Sequence, residues 1–144
     1  MRRSLSVLVA VLGVGCVSQS SLDGFELPVD TRQSSLTFAV RHQPDDERRL
    51  DQTISEVLRT RGLKIVTGDA EPADYVVSYI DRWQWDMRMY LIDLRIDIRD
   101  AKTNVLVATG RSYQTSLSAM GDSHRSIIER TVDVLVGGTD ATLR

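Results

Sequence analysis

Tyr90-Leu91-Ile92-Asp93-Leu94-Arg95-Ile96-Asp97-Ile98-Arg99 is the most regular stretch of the chain. Tyr90, Ile92, Leu94, Ile96 and Ile98 fall on one parity, while Asp93, Arg95, Asp97 and Arg99 fall on the other. Successive side chains of a strand point to opposite faces, so this alternation predicts an antiparallel strand with one face in a core and the other in water. The charged parity reads as a solvated ladder whose same-face neighbours lie about 6.8 Å apart, each exposed pair contributing at most about 1 kcal/mol.

Working outward, Tyr75, Val77, Tyr79, Trp83 and Trp85 share one parity and predict a second strand from Tyr75 to Trp85. Asp100-Ala101-Lys102-Thr103-Asn104 is a hairpin loop into a third, Val105 to Gln114. Leu36-Thr37-Phe38-Ala39-Val40 and Leu63-Lys64-Ile65-Val66 supply two shorter strands upstream. Between them Leu50, Ile54, Val57 and Leu58 recur at helical spacing. Pro44-Asp45-Asp46-Glu47 gives that helix an acidic start and Gly62 its stop. A second helix, Ser123 to Val136, is capped by Asp122 or Ser123, carries Ile127, Ile128, Thr131, Val132 and Leu135 on its apolar side, and ends at Gly137 and Gly138. The order β-α-β-β-β-β-α predicts an α+β fold: a mixed, mainly antiparallel sheet of about five strands with two helices packed on one face.

The N-terminus reads differently. Arg2 and Arg3 precede the apolar run Leu5 to Leu12, which is the pattern of an export signal and is too short to span a bilayer. It ends in Gly15-Cys16, which resembles the bacterial lipobox, although Leu12 stands four residues before the cysteine and Gly13 takes the place usually held by leucine. The expected division is a lipoprotein signal peptide over residues 1–15, a lipidated Cys16 with a tether over 16–35, and a single domain over 36–144. The tether is polar, with Leu22, Phe25 and Leu27 as its apolar points. Two acyl signals on Cys16 would give stable membrane attachment. Val17 and Ser18 follow the cysteine in place of an inner-membrane retention aspartate, so the expected location is the outer membrane, facing the periplasm.

Of 144 residues, 42% are apolar and 26% charged, which suits one folded domain. Loss of Arg2 and Arg3 with the leader leaves 16 basic against 20 acidic residues, a net charge of −4. Nucleic acid is therefore not an expected partner. One cysteine and two distant histidines leave a zinc site short of ligands, and the glycines have the wrong spacing for a phosphate loop, so no metal and no cofactor is expected. His42 and His124 fit surface or capping positions, and no nucleophile, base and orienting group stand in a catalytic pattern. No catalytic residue is assigned.

Trp83, Trp85, Asp86 and Tyr90 are the candidate partner-binding residues. Both tryptophans of the chain lie two positions apart among arginines, and Trp and Arg are favoured interface anchors. The plainer reading is that the two rings seal the end of the core. Asp81, Asp86, Asp93 and Asp97 cluster nearby, and paired carboxylates serve glycosidases.

On Gly15-Cys16, Ala73-Asp74-Tyr75, Trp85-Asp86 followed by Tyr90, and Gly110-Arg111-Ser112-Tyr113, the chain resembles a group of small proteobacterial envelope lipoproteins of uncharacterised role. Members are similar in fold to the N-terminal domain of the translocation protein TolB and to a ring-forming lipoprotein of exopolysaccharide export. The resemblance implies a non-enzymatic envelope scaffold or assembly factor that binds an envelope protein or further copies of itself. The alternative is a lipid-anchored glycan-binding or glycan-hydrolysing protein that uses Trp83, Trp85 and the nearby aspartates.

Serine cannot offer the thiol that accepts the diacylglycerol, so Cys16→Ser is expected to abolish fatty-acid incorporation in metabolic labelling. Equal label in the variant and the parent would remove the lipoprotein reading.

Overall fold

The computed structural model describes residues 20–33, 35–67, 72–115 and 121–137, so Cys16 and the leader lie outside the described residues. In chain order the elements are β1 (Ser21–Phe25), α1 (Val29–Gln33), β2 (Thr37–Val40), α2 (Leu50–Thr60), β3 (Lys64–Val66), β4 (Tyr75–Asp86), β5 (Arg88–Asp100), β6 (Leu106–Tyr113) and α3 (His124–Val136). The six strands form one sheet in the order β1-β6-β5-β4-β2-β3. Pairing is antiparallel from β1 to β4 and parallel where β2 meets β4 and β3. The expected α+β class and its five strands are present.

The sixth strand is a correction, because Ser21–Phe25 lies in the segment expected as tether and pairs along β6. Its ladder bonds draw the following residues in as well. Leu27 is fully buried in the core, its N–H donates to the Leu135 carbonyl at 2.7 Å, and Arg32 caps the end of α3 through the Val136 carbonyl. The close packing of α3 explains two glycines. Gly24 opposes Gly110, where a Cβ would stand 2.7 Å from the Thr131 carbonyl oxygen of α3.

Both long helices lie on one face. Leu50, Ile54, Val57 and Leu58 of α2 and Ile127, Ile128, Val132 and Leu135 of α3 meet Val77, Tyr79, Leu94, Ile96, Ile98 and Ala108 of the sheet in a single core. Across the helices Arg125 grips Glu56 with two bonds of 3.1 Å, and Arg61 donates to Asp133 at 2.7 Å. Ser123 caps α3 by accepting from the Ser126 N–H, and Gly137 closes it at φ 63°.

The start of α2 departs from expectation. Residues 44–49 form turns, with Arg49 left-handed at φ 55°, and the helix begins at Leu50. Asp46 is the cause. It is buried, and its carboxylate accepts from the Leu50 N–H at 2.6 Å, the Arg48 N–H at 3.0 Å and the Tyr79 hydroxyl at 2.7 Å. Those donors hold the side chain inside and accompany the turns at 44–49 that precede the helix. The loop is thereby fastened to the sheet.

Burial raises the Asp46 carboxyl pKa, but the bonds from Tyr79, Leu50 and Arg48 outweigh it and hold it below the usual value. A depressed folded value stabilises the fold above the ordinary carboxylate range and loses that stabilisation as pH falls through the folded value. Tyr79→Phe is therefore expected to cost about 1 to 3 kcal/mol at neutral pH and to flatten the acid limb of the stability profile. Urea midpoints from pH 7 down to 3 test this. An unchanged acid limb would separate Tyr79 from the Asp46 network.

Candidate functional site

Among the described residues, no helix covers the second face of the sheet or the far end of the β4–β5 hairpin. The first follows from register. On that face Asp23, Arg111, Arg95 and Ile80 form one cross-strand row, with Ser21, Tyr113, Asp93 and Arg82 above it and Phe25, Thr109, Asp97 and Ser78 below. Asp93 accepts two bonds from Arg111, at 2.7 and 2.9 Å, and lies 3.7 Å from Arg82. Asp97 accepts from Arg95 at 2.9 Å and from the Thr109 hydroxyl at 2.6 Å, and it is buried, which corrects the expectation of a fully solvated ladder. Arg111 holds the Asp93 carboxyl below its usual pKa. Ile80 stands 66% exposed beside these charges, at a shallow depression of about 400 Å³ lined by Ile80, Asp81, Arg82, Asp93, Arg95 and Arg111.

The hairpin end depends on a bulge. Arg82 pairs with Asp93 but Trp83 pairs with Leu91, which leaves Ile92 without a partner opposite it on β4. One extra residue reverses parity beyond it. Leu91 joins the core in place of Ile92, and Tyr90, although only 6% exposed, lies outside the core cluster with the Arg88 guanidinium 4.8 Å above its ring. The sequence expectation that Tyr90 and Ile92 face inward with Leu94 is corrected by this slip.

The four candidate residues therefore separate. Trp83 packs against the core, with Arg48 4.3 Å from its ring, His124 6.3 Å away and its indole N–H donating to Asp81 at 2.6 Å. Trp85 is 68% exposed, paired with Met89 at 40%, and the turn residue Met87 is 91% exposed at φ 59°. Asp86 is exposed beside them. Trp85 and Asp86 are available to a partner; Trp83 and Tyr90 are engaged with their own chain. Ile80 and the two methionines were missed because lone apolar residues carry no period, and only the parity reversal brings Met89 beside Trp85.

Elsewhere, His42, Asp46 and Asp51 bring one ligand atom each within 4.8 Å of one another. Asp46 already accepts three hydrogen bonds and Asp51 accepts from Arg49, so this cluster is the network that starts α2. Among the described residues no helix is long and apolar enough to cross a membrane.

No family model and no curated protein matches the chain. Solved structures do. A PelC dodecamer from Paraburkholderia phytofirmans aligns at 15% identity over 81% of this chain and 98% of that one, with a TM-score of 0.55. A leucine-to-methionine variant of the same dodecamer gives 0.56 at the same identity and coverage. A minor lipoprotein from Acinetobacter baumannii aligns at 13% identity over 70% of this chain and 91% of that one, but its TM-score of 0.35 carries no argument. What the chain shares with PelC is the fold.

The two tryptophans should respond differently to truncation. Trp83→Ala is expected to cost about 3 kcal/mol, near the low end for a large aromatic against a core, and Trp85→Ala to stay within about 0.5 kcal/mol. Acrylamide should quench the emission that Trp85→Ala removes and largely spare the rest. Equal losses in denaturant midpoint would contradict this division.

Proposed function

We propose that the protein is a non-enzymatic outer-membrane lipoprotein, held through Cys16 and facing the periplasm, that acts as a scaffold or assembly factor by binding another envelope component on the helix-free face of its sheet. The observation that carries this reading is that face itself, where Ile80 stands exposed among ion-paired arginines and aspartates. An apolar residue ringed by satisfied charges suits a protein contact, since the rim sets register while the apolar centre is buried.

The PelC to which the fold is similar is a dodecamer, which supports a second copy of this chain as one occupant of that face. The expected kinship with the TolB N-terminal domain belongs to the same proposal. The glycan-hydrolase reading has less support. A general acid needs a raised pKa, yet Arg111 holds Asp93 low.

A photo-crosslinking side chain at position 80 is expected to give a discrete protein adduct in intact envelopes. The same group at Lys102, in the loop at the other end of β5, should not. Anchored protein that yields no adduct at position 80 would overturn the reading.

A further inference from the structure

Register places the N-terminal exit of the sheet and the apolar hairpin end on the same side. Ser21, Tyr113, Asp93 and Arg82 form one row across β1, β6, β5 and β4. β1 begins at this row and β6 ends there. Among the described strands, only the β4–β5 ribbon continues beyond it, through Trp83 and Trp85 to Met87 and back through Met89. At the usual rise the five residues from Trp83 to Met87 carry the turn about 15 Å past the row. Cys16 precedes Ser21 by five residues, a reach of at most about 17 Å. The lateral offset from β1 to β5 is only about 10 Å, two strand spacings. An acyl group on Cys16 and the hairpin turn can therefore reach one plane.

We infer that Trp85, Met87 and Met89 dip into the interface of the bilayer that holds the Cys16 acyl chains, making the hairpin a second, reversible membrane contact that orients the domain. The inference rests on the lipid anchor of the proposed function. The chemistry of the turn fits a lipid surface. Tryptophan favours the headgroup level of a membrane, and the flexible thioethers of Met87 and Met89 adapt to acyl chains. Asp86 and Arg88 flank Met87 with opposite charges, so insertion is driven by apolar burial and is insensitive to salt. With three apolar side chains exposed at one turn, the hairpin departs from the scattered single residues of an ordinary surface. Two attachments on one side of the sheet hold its helix-free face steeply to the membrane and leave that face open to the periplasm.

The test uses the full acylated protein, extracted in detergent and reconstituted into vesicles of phosphatidylethanolamine and phosphatidylglycerol whose acyl chains carry bromine. Trp85 emission should be quenched by the brominated chains and shielded from aqueous acrylamide, equally at low and high salt. Trp85→Phe should lose the lipid-quenched component and keep the Trp83 emission. Met87→Asp should restore acrylamide access to Trp85 while the protein still floats with the vesicles. Acylated protein whose Trp85 stays open to acrylamide and untouched by bromine would overturn the inference and leave the anchor standing, whereas absent fatty-acid label on Cys16 removes the anchor itself. A crosslinker at position 87 that captures a protein in place of lipid would also overturn it.

Discussion

The β-bulge opposite Trp83 is the constraint on which the two ends of the molecule depend. On its sheet side, β4 and β5 keep strict alternation, and Val77, Tyr79, Leu94, Ile96 and Ile98 build the floor beneath α2 and α3. Past the bulge the same two strands turn Leu91 and Trp83 toward the core's end and bring Trp85 beside Met89. Without the extra Ile92, Tyr90 would stand opposite the wrong residue and every side chain on that arm of the ribbon would change faces. A single unmatched residue on β5 thus puts Leu91, and not Ile92, opposite Trp83 at the end of the core, and sets Met89 beside Trp85 at the turn beyond it.

Closure elsewhere relies on polar groups that satisfy one another. Asp46 accepts from Tyr79 and from two backbone N–H groups, which fixes where α2 starts and fastens its leading loop to β4. Asp74 accepts from the Thr37 backbone N–H at 2.8 Å and from its hydroxyl at 2.9 Å, tying β2 to the entrance of β4. Asp100 accepts from the N–H groups of Lys102 and Thr103 and shapes the β5–β6 loop. These aspartates are committed to the backbone. Their hydrogen bonds hold the Asp74 and Asp100 carboxyls below the usual range, as at Asp46, which suits structural anchors and not proton donors.

The helix-free face has a different economy. Its charges pair with one another, Asp93 with Arg111 across the β5–β6 ladder and Asp97 with Arg95 along β5, so little net field leaves the surface although many charged groups line it. Ile80 is the apolar exception within that lattice.

Local periodicity was enough to specify most of the elements. The alternation of Leu94, Ile96 and Ile98, the helical spacing of Leu50, Ile54, Val57 and Leu58, and the Ser123 cap and Gly137 stop around α3 are short-range patterns, and each lies where its period places it. Of the candidate site, the sequence picked out the Trp83 to Tyr90 segment, but not which of its residues are free. Three features required the assembled sheet. Ser21–Phe25 is polar enough to resemble a tether and becomes a strand only because the β6 edge offers backbone partners. Asp46 reads as a helix opener until Tyr79, thirty-three residues away, supplies a buried donor that holds it outside the helix. The parity reversal at Ile92 has no period of its own, since a bulge is a property of two strands in register and not of either strand alone. The outward face of Tyr90 and the placing of Met89 beside Trp85 follow from that bulge, and the common side of the N-terminal exit and the hairpin turn follows from the register of the four strands, which is where tertiary structure and not local sequence decided the surface this protein presents.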